Sequence, residues 1–238
     1  RIRSHFLFPL DKGIIEPSFF KKNIKKEVAL REIIKKGIEK LQLSDHRVVL
    51  LLPEISQRAF IFSFDALSSA CQEREQIIRF RIKKQIPLLP EDARLSFDLI
   101  KSKNKDKVVA TIARSSVVKE FEDFFGKFRL KVKAVNAPLL SLLNLINKER
   151  EQDMMLVNIE EDCFSLVAVL GSEISLYRQK PFDLEYGDKE SFGQRVEDIA
   201  QEIEKTANFI EDKEERKISS LLIRYGMLKS EDKVSTGL

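Results

Sequence analysis

Apolar residues recur in the chain with two different periods, and the period marks the elements. From Asn23 to about Leu41, Leu30, Ile34, Ile38 and Leu41 fall three to four apart, which predicts a helix; Lys21, Lys22, Lys25, Lys26, Lys35 and Lys36 mostly flank this stripe as its solvated side. Ahead of it, Phe6-Leu7-Phe8 followed by Pro9 and Gly13 reads as a short strand and turn. The run Arg47–Leu52 is short, branched and stopped by Pro53, as expected of a buried strand. Between Arg58 and Phe64 the period drops to two, with Phe60, Phe62 and Phe64 on one face and Ala59, Ile61 and Ser63 on the other.

Asp65 is placed to cap a long helix that ends before Pro87, with Leu67, Cys71, Ile78 and Ile82 facing a core and Arg74, Arg81, Lys83 and Lys84 mostly elsewhere. Two strands follow, 94–100 and 107–113, joined by the polar loop 102–106. Ser115 or Ser116 then caps a helix bearing Val118, Phe121, Phe124 and Phe125 and ending near Gly126. A strand over 130–135 alternates Leu130 and Val132 with Lys131 and Lys133, so residues 56–136 read as β-α-β-β-α-β, with helices on one face of a small sheet. A helix from Pro138 returns the chain to what precedes this unit. After the charged break 147–153 come three short strands, 154–159, 163–170 and 173–177, with tight turns between them. A helix over 194–210 has the apolar line Val196, Ile199, Ile203 and Ala207, and a last strand, 218–223, stops at Tyr225-Gly226. No internal repeat is evident.

Composition narrows the chemistry. In 238 residues, 34% are charged and 43% hydrophobic, the balance of a soluble globular chain. Two cysteines and two histidines exclude a disulfide framework and a zinc site of the usual four Cys/His ligands. The eight glycines match neither GxGxxG nor GxxxxGK[ST], and no apolar run reaches the ~20 residues that span a bilayer. A cytoplasmic location is expected. The chain begins with Arg1 rather than methionine, which leaves room for an upstream segment.

Charge divides the chain. Residues 1–150 hold 31 Lys/Arg against 18 Asp/Glu, a net of +13, whereas residues 151–238 hold 11 against 20, a net of −9. This supports two lobes. The basic half suits an acidic protein, anionic lipid or nucleic acid, and the two halves also suit each other.

Candidate catalytic groups are scarce. His5 adjoins an apolar run and His46 lies in a loop; Cys71 on a helical stripe and Cys163 in a strand are placed as structural thiols. The turn Glu160-Glu161-Asp162 offers carboxylates for a cation or for acid–base work, and equally reads as a solvated turn. Glu197, Asp198, Glu202 and Glu204 read as a solvated helix face. A nucleic-acid-binding module would use lysines 101, 103, 105 and 107 and Phe80 between Arg79 and Arg81. The phenylalanines fall at core spacing, however, and the chain has no tryptophan and three tyrosines for base stacking.

The stretches RVVLLLPEISQRAFIFSFDAL and QIIRFRIKKQIPLLPEDARLSFDLI resemble the PilM family of type IV pilus assembly proteins, through Arg58, Arg81, Lys83, Lys84, Pro87, Glu91 and Asp98. FFGKFRLKVKAVNAPLLSLLNLI is similar to that family's helix, turn, strand and return helix. Residues 154–180 resemble the start of its second lobe, EDIAQEIEKTANFI its interdomain helix and ISSLLIRYG its closing strand. The resemblance runs over most of residues 5–226. It implies an α/β, actin-like (ribonuclease H-like) fold of two lobes around a nucleotide cleft, with an FtsA-type β-α-β-β-α-β insert, incomplete or degenerate here. The first lobe would take residues 1–55 and the return helix 137–150, the insert 56–136 and the second lobe 151–238.

The resemblance further implies a cytoplasmic adaptor at the inner-membrane face. Such a protein binds the cytoplasmic tail of a PilN-like bitopic partner and links it to the assembly motor ATPase, alone or as an oligomer, without nucleic acid. GspL cytoplasmic domains of type II secretion platforms perform a comparable coupling. Actin-like proteins start the second lobe with a strand ending Asp-Ile-Gly, whose glycine admits phosphate. Here the stretch is Asn158-Ile159-Glu160-Glu161, and a carboxylate at ~4 Å from a polyphosphate costs a few kcal/mol at an effective dielectric of about 20. The adenosine-side glycine pair is reduced to Gly226. Neither ATP/Mg binding nor hydrolysis is expected, so no cofactor and no metal are assigned. The alternatives are an actin-like ATPase whose pocket is completed upstream of Arg1, where the first phosphate loop would lie, and a nucleic-acid-binding module.

Overall fold

A computed structural model describes residues 5–43, 46–101, 105–146, 152–182 and 189–226. Its elements are α1 (Glu27–Leu41), β1 (Arg47–Leu51), a 3₁₀ turn (Glu54–Ser56), β2 (Gln57–Phe64), α2 (Cys71–Gln85), β3 (Ala93–Lys101), β4 (Asp106–Arg114), α3 (Ser115–Gly126), β5 (Lys131–Asn136), α4 (Pro138–Leu143), β6 (Met154–Ile159), β7 (Cys163–Leu170), β8 (Glu173–Pro181), α5 (Lys189–Glu214) and β9 (Ser220–Tyr225).

Three sheets organise the chain. β2, β4 and β3 form an antiparallel sheet with β4 central. The phenylalanine face of β2 is buried as its alternation predicts: Phe62 and Phe64 pack with Val108, Ala110 and Ile112 of β4 beneath Ile78 and Ile82 of α2. β8, β7, β6 and β9 form a four-stranded sheet in the stretch expected to be the second lobe, antiparallel except for the parallel β6–β9 pair. α5 covers one face of this sheet through Ile199, Ile203 and Ala207, and α4 covers the other through Leu139 and Leu142.

The third sheet departs from expectation. Residues 56–136 hold the six elements in the order read from sequence, but β5 does not extend the β2–β4–β3 sheet. It pairs in parallel with β1, with a bulge at Lys133. α3 packs Val117, Val118 and Phe121 against Leu50, Leu52, Val132 and Val135, so the strand that follows the helix is set down beside β1. Among the described residues, only this face is covered. β1 is therefore not the fully buried strand that its composition predicts, and Val49 and Leu51 are exposed.

Other differences are local. Residues 6–8 form no strand, although Gly13 does turn at φ 75°. α1 starts at Glu27 rather than Asn23, because Asn23 is a buried loop staple: its Nδ2 donates to the Ser18 and Lys21 carbonyls, and its N–H donates to Glu120 of α3 at 2.7 Å. α2 starts at Cys71, which is exposed, and Asp65 pairs with Lys105 at 3.5 Å instead of capping. Neither Ser115 nor Ser116 caps α3 by its side chain; the Asp92 carbonyl and carboxylate accept their N–H groups at 2.9 and 3.4 Å. α4 is only six residues long, while β8 and α5 run further than predicted. The charged break at 147–151 and the tip of the 102–106 loop lie outside the described residues.

Candidate functional site

The register of the second lobe assembles the first candidate region. β6 lies between β7 and β9, which sets Asn158 opposite both Ser165 and Arg224. Asn158 is wholly buried. Its Oδ1 accepts from Arg224 Nη1 at 2.7 Å, and its Nδ2 donates to Glu160 Oε1 at 3.2 Å. Arg224 also forms an ion pair with the Glu160 carboxylate. Gly226, whose N–H donates to the Ile159 carbonyl at 2.8 Å, explains how that carboxylate fits: a Cβ at position 226 would stand 2.6 Å from Glu160 Oε2. A side-chain carboxylate, neutralised by a guanidinium, thus fills the end of β6.

Glu161 does not join this cluster. It is exposed, and only its carbonyl is engaged, by Arg195 Nη1 at 3.3 Å. Asp162 is half-buried and Cys163 buried; desolvation raises both pKa values, which keeps the thiol protonated. The described residues contain no group of three His, Cys, Asp or Glu placed to hold a metal ion. The acidic turn, expected to be solvated, is thus partly buried.

A second polar cluster ties the lobes together. Glu54, in the 3₁₀ turn before β2, is buried; its carboxylate accepts from Tyr177 Oη of β8 at 2.6 Å and from the Leu139 N–H at 3.3 Å. Gln179 Nε2 donates to the Glu54 carbonyl at 2.5 Å, and Arg58 Nη1 donates to Gln179 Oε1 at 2.9 Å. Burial raises the pKa of Glu54 despite the hydrogen bonds from Tyr177 and Leu139, and desolvation lowers that of Arg58. Arg58, one of the residues carrying the sequence resemblance, thus joins β2 to β8. Glu202, expected on a solvated face, is 3% exposed and paired with Arg178 and Lys180 of β8. Its own burial would raise its pKa, but hydrogen bonds from Lys180 and Arg178 outweigh this and hold it low.

The third feature is a groove of about 300 Å³ between the edge strands β3 and β5. Leu52, Ile112, Val118 and Val132 give it an apolar floor, while Arg94, Ser96, Glu122 and Lys133 give it polar walls. Arg94 is held by Ser115 Oγ at 2.9 Å and by Glu122 at 3.4 Å. Two open strand edges with an apolar floor can receive an extended peptide, whose backbone bonds to an edge and whose alternate side chains enter the floor. Sequence reading named none of these lining residues as a site, because the groove exists only once β5 leaves the β2–β4–β3 sheet. The open edges that follow from that pairing are the one signal for it.

No protein-family pattern matches the chain. No curated protein matches it either. Solved structures do. A chain of the "PilM-PilN type IV pilus biogenesis complex" superposes with a TM-score of 0.72 at 15% identity, over 92% of this chain and 73% of that one. The cytoplasmic domain of EpsL, an inner membrane component of the type II secretion system of Vibrio cholerae, superposes with a TM-score of 0.50 at 14% identity, over 87% of this chain and 73% of that one. The fold is accordingly the α/β, actin-like fold expected from the sequence resemblance, shared with proteins of pilus and secretion systems. Among the described residues, no helix is long and apolar enough to cross a membrane.

Proposed function

We propose that the protein is a non-enzymatic adaptor at the inner-membrane face of a type IV pilus or type II secretion apparatus. In this reading it binds the cytoplasmic tail of a PilN-like bitopic partner and links it to the assembly motor. The observation that carries the proposal is the Glu160 carboxylate, locked by Arg224 and Asn158 at the end of β6 in a fold shared with a PilM–PilN structure. A bound polyphosphate would have to break the Glu160–Arg224 pair and displace a carboxylate that fills the space beside Gly226. Asn158 supplies no carboxylate for Mg²⁺. The fold is kept while the chemistry is lost, which leaves surfaces to carry the function.

In this reading the peptide tail enters the β3–β5 groove as an added strand. Two experiments test the reading. Calorimetric titration with Mg-ATP is expected to give no heat of binding, and micromolar affinity would overturn the non-nucleotide role. Anisotropy with a labelled peptide from the partner's cytoplasmic tail is expected to show saturable binding. Ser96→Trp, at an exposed groove position, should abolish it; failure of the wild-type protein to bind a verified partner's peptide would overturn the adaptor role.

A further inference from the structure

Beyond the groove and the cluster at Glu160, the outer face of α2 combines exposed apolar groups with a local excess of positive charge. Ile78 and Ile82 point into the core, so Phe80 lies nearly opposite them, flanked by Ile77, Lys83 and Lys84. Phe80 is 59% exposed and Ile77 37%. The helix ends at Gln85, and the next turn projects Leu88, which is 85% exposed. That projection is fixed by the turn itself. Ile86 and Leu89 on either side pack into the core, the Leu89 N–H donates to the Ile86 carbonyl at 3.1 Å, and Pro87 and Pro90 restrict the backbone.

Residues 77–90 contain Arg79, Arg81, Lys83 and Lys84 and no Asp or Glu. Arg79 is committed to Glu75 and to the Ala93 carbonyl. Arg81 and Lys84 rest over the rings of Phe64 and Phe80 at 5.5 and 4.6 Å, with their charges at the surface. Glu73, the carboxylate on the same face two turns earlier, is hydrogen-bonded by Ser68. Single exposed apolar residues need no explanation. A rigidly presented Phe and Leu among cations, on a half of the chain with net charge +13, do.

We infer that the C-terminal half of α2 and the Leu88 turn form a docking surface for an anionic phospholipid bilayer, with Phe80 and Leu88 entering the headgroup–acyl boundary and Arg81, Lys83 and Lys84 facing lipid phosphates. Apolar insertion combined with electrostatic attraction is the physics of peripheral amphipathic anchors. The surface rests on the proposed function only in placing the protein beside a membrane; it involves neither the β3–β5 groove nor Glu160.

The test uses vesicles of phosphatidylglycerol and phosphatidylcholine against vesicles of phosphatidylcholine alone. The chain has no tryptophan, so Leu88→Trp introduces a single fluorescent reporter at the patch. With anionic vesicles at low salt, its emission should shift to shorter wavelength and be quenched by brominated acyl chains; added salt should reverse both. Cosedimentation of the otherwise unchanged chain should weaken about tenfold or more in K83E/K84E, since each cation near an anionic surface contributes roughly fivefold. F80S/L88S should weaken it as well, and both variants should still bind the partner peptide in the groove. The inference is overturned if the reporter does not shift, if neutral vesicles bind equally, or if the variants sediment as wild type. It is also overturned if an acidic peptide binds this face in place of lipid. Loss of peptide binding with vesicle binding intact would instead count against the proposed adaptor role.

Discussion

β7 and β1 look alike as sequence, one reading CFSLVAVL and the other RVVLL, yet they live in different environments. Seven of the eight β7 residues are buried, because α5 packs on one face of its sheet and α4 on the other. β1 buries Leu50 alone, since its two-stranded sheet has α3 on one face and no described helix on the other, leaving Val49 57% exposed. A short apolar run announces a strand; how many layers enclose it depends on contacts made far along the chain.

The contrast can be tested by substitution, from the largest effect to the smallest. Leu166→Ala, at a fully buried β7 site, should cost about 3 kcal/mol in chemical denaturation, by lost transfer energy and a residual cavity. A loss below about 1 kcal/mol would mean that this lobe is packed more loosely than its two covers imply. Glu202→Gln, beneath β8, should cost about 1 kcal/mol, because Arg178 and Lys180 keep access to water when their partner loses its charge. The Glu202 pKa is lowered on folding, so its contribution is complete above the ordinary carboxylate range and is lost as pH falls through the folded value. Denaturation midpoints of the wild type and Glu202→Gln should therefore converge in acid. Leu51→Ser in β1 should change stability by no more than about 0.5 kcal/mol; a cost near that of Leu166→Ala would show the exposed face to be covered in solution.

What could be read from the sequence was whatever depends on near neighbours. The Phe60, Phe62, Phe64 alternation, the strands 154–159 and 163–170, and the turn at Gly171 with φ 62° all follow from local period and turn chemistry. The departure at Asn158 and Glu160 was legible as residue types in the wrong place. Arg224, which gives that departure its geometry, was not, because it arrives through a parallel pairing 64 residues away. Glu202 departs from the expected solvated face for a related reason. Helical spacing cannot tell a solvated carboxylate from one covered by two cations of a strand that precedes it. Asn23 shows the same limit, since a polar residue ahead of a helix can cap it or staple the loop, and Glu120 of α3 decides.

The joint between Glu54, Tyr177, Gln179 and Arg58 has a mechanical consequence. Two halves with net charges of +13 and −9 could be held by diffuse attraction, which would yield under load and fade with ionic strength. Hydrogen bonds at 2.5 to 2.9 Å, short in reach and partly shielded from water, instead make a stiff coupling that salt barely loosens. The two halves are then held in register by specific short bonds, not by diffuse attraction alone.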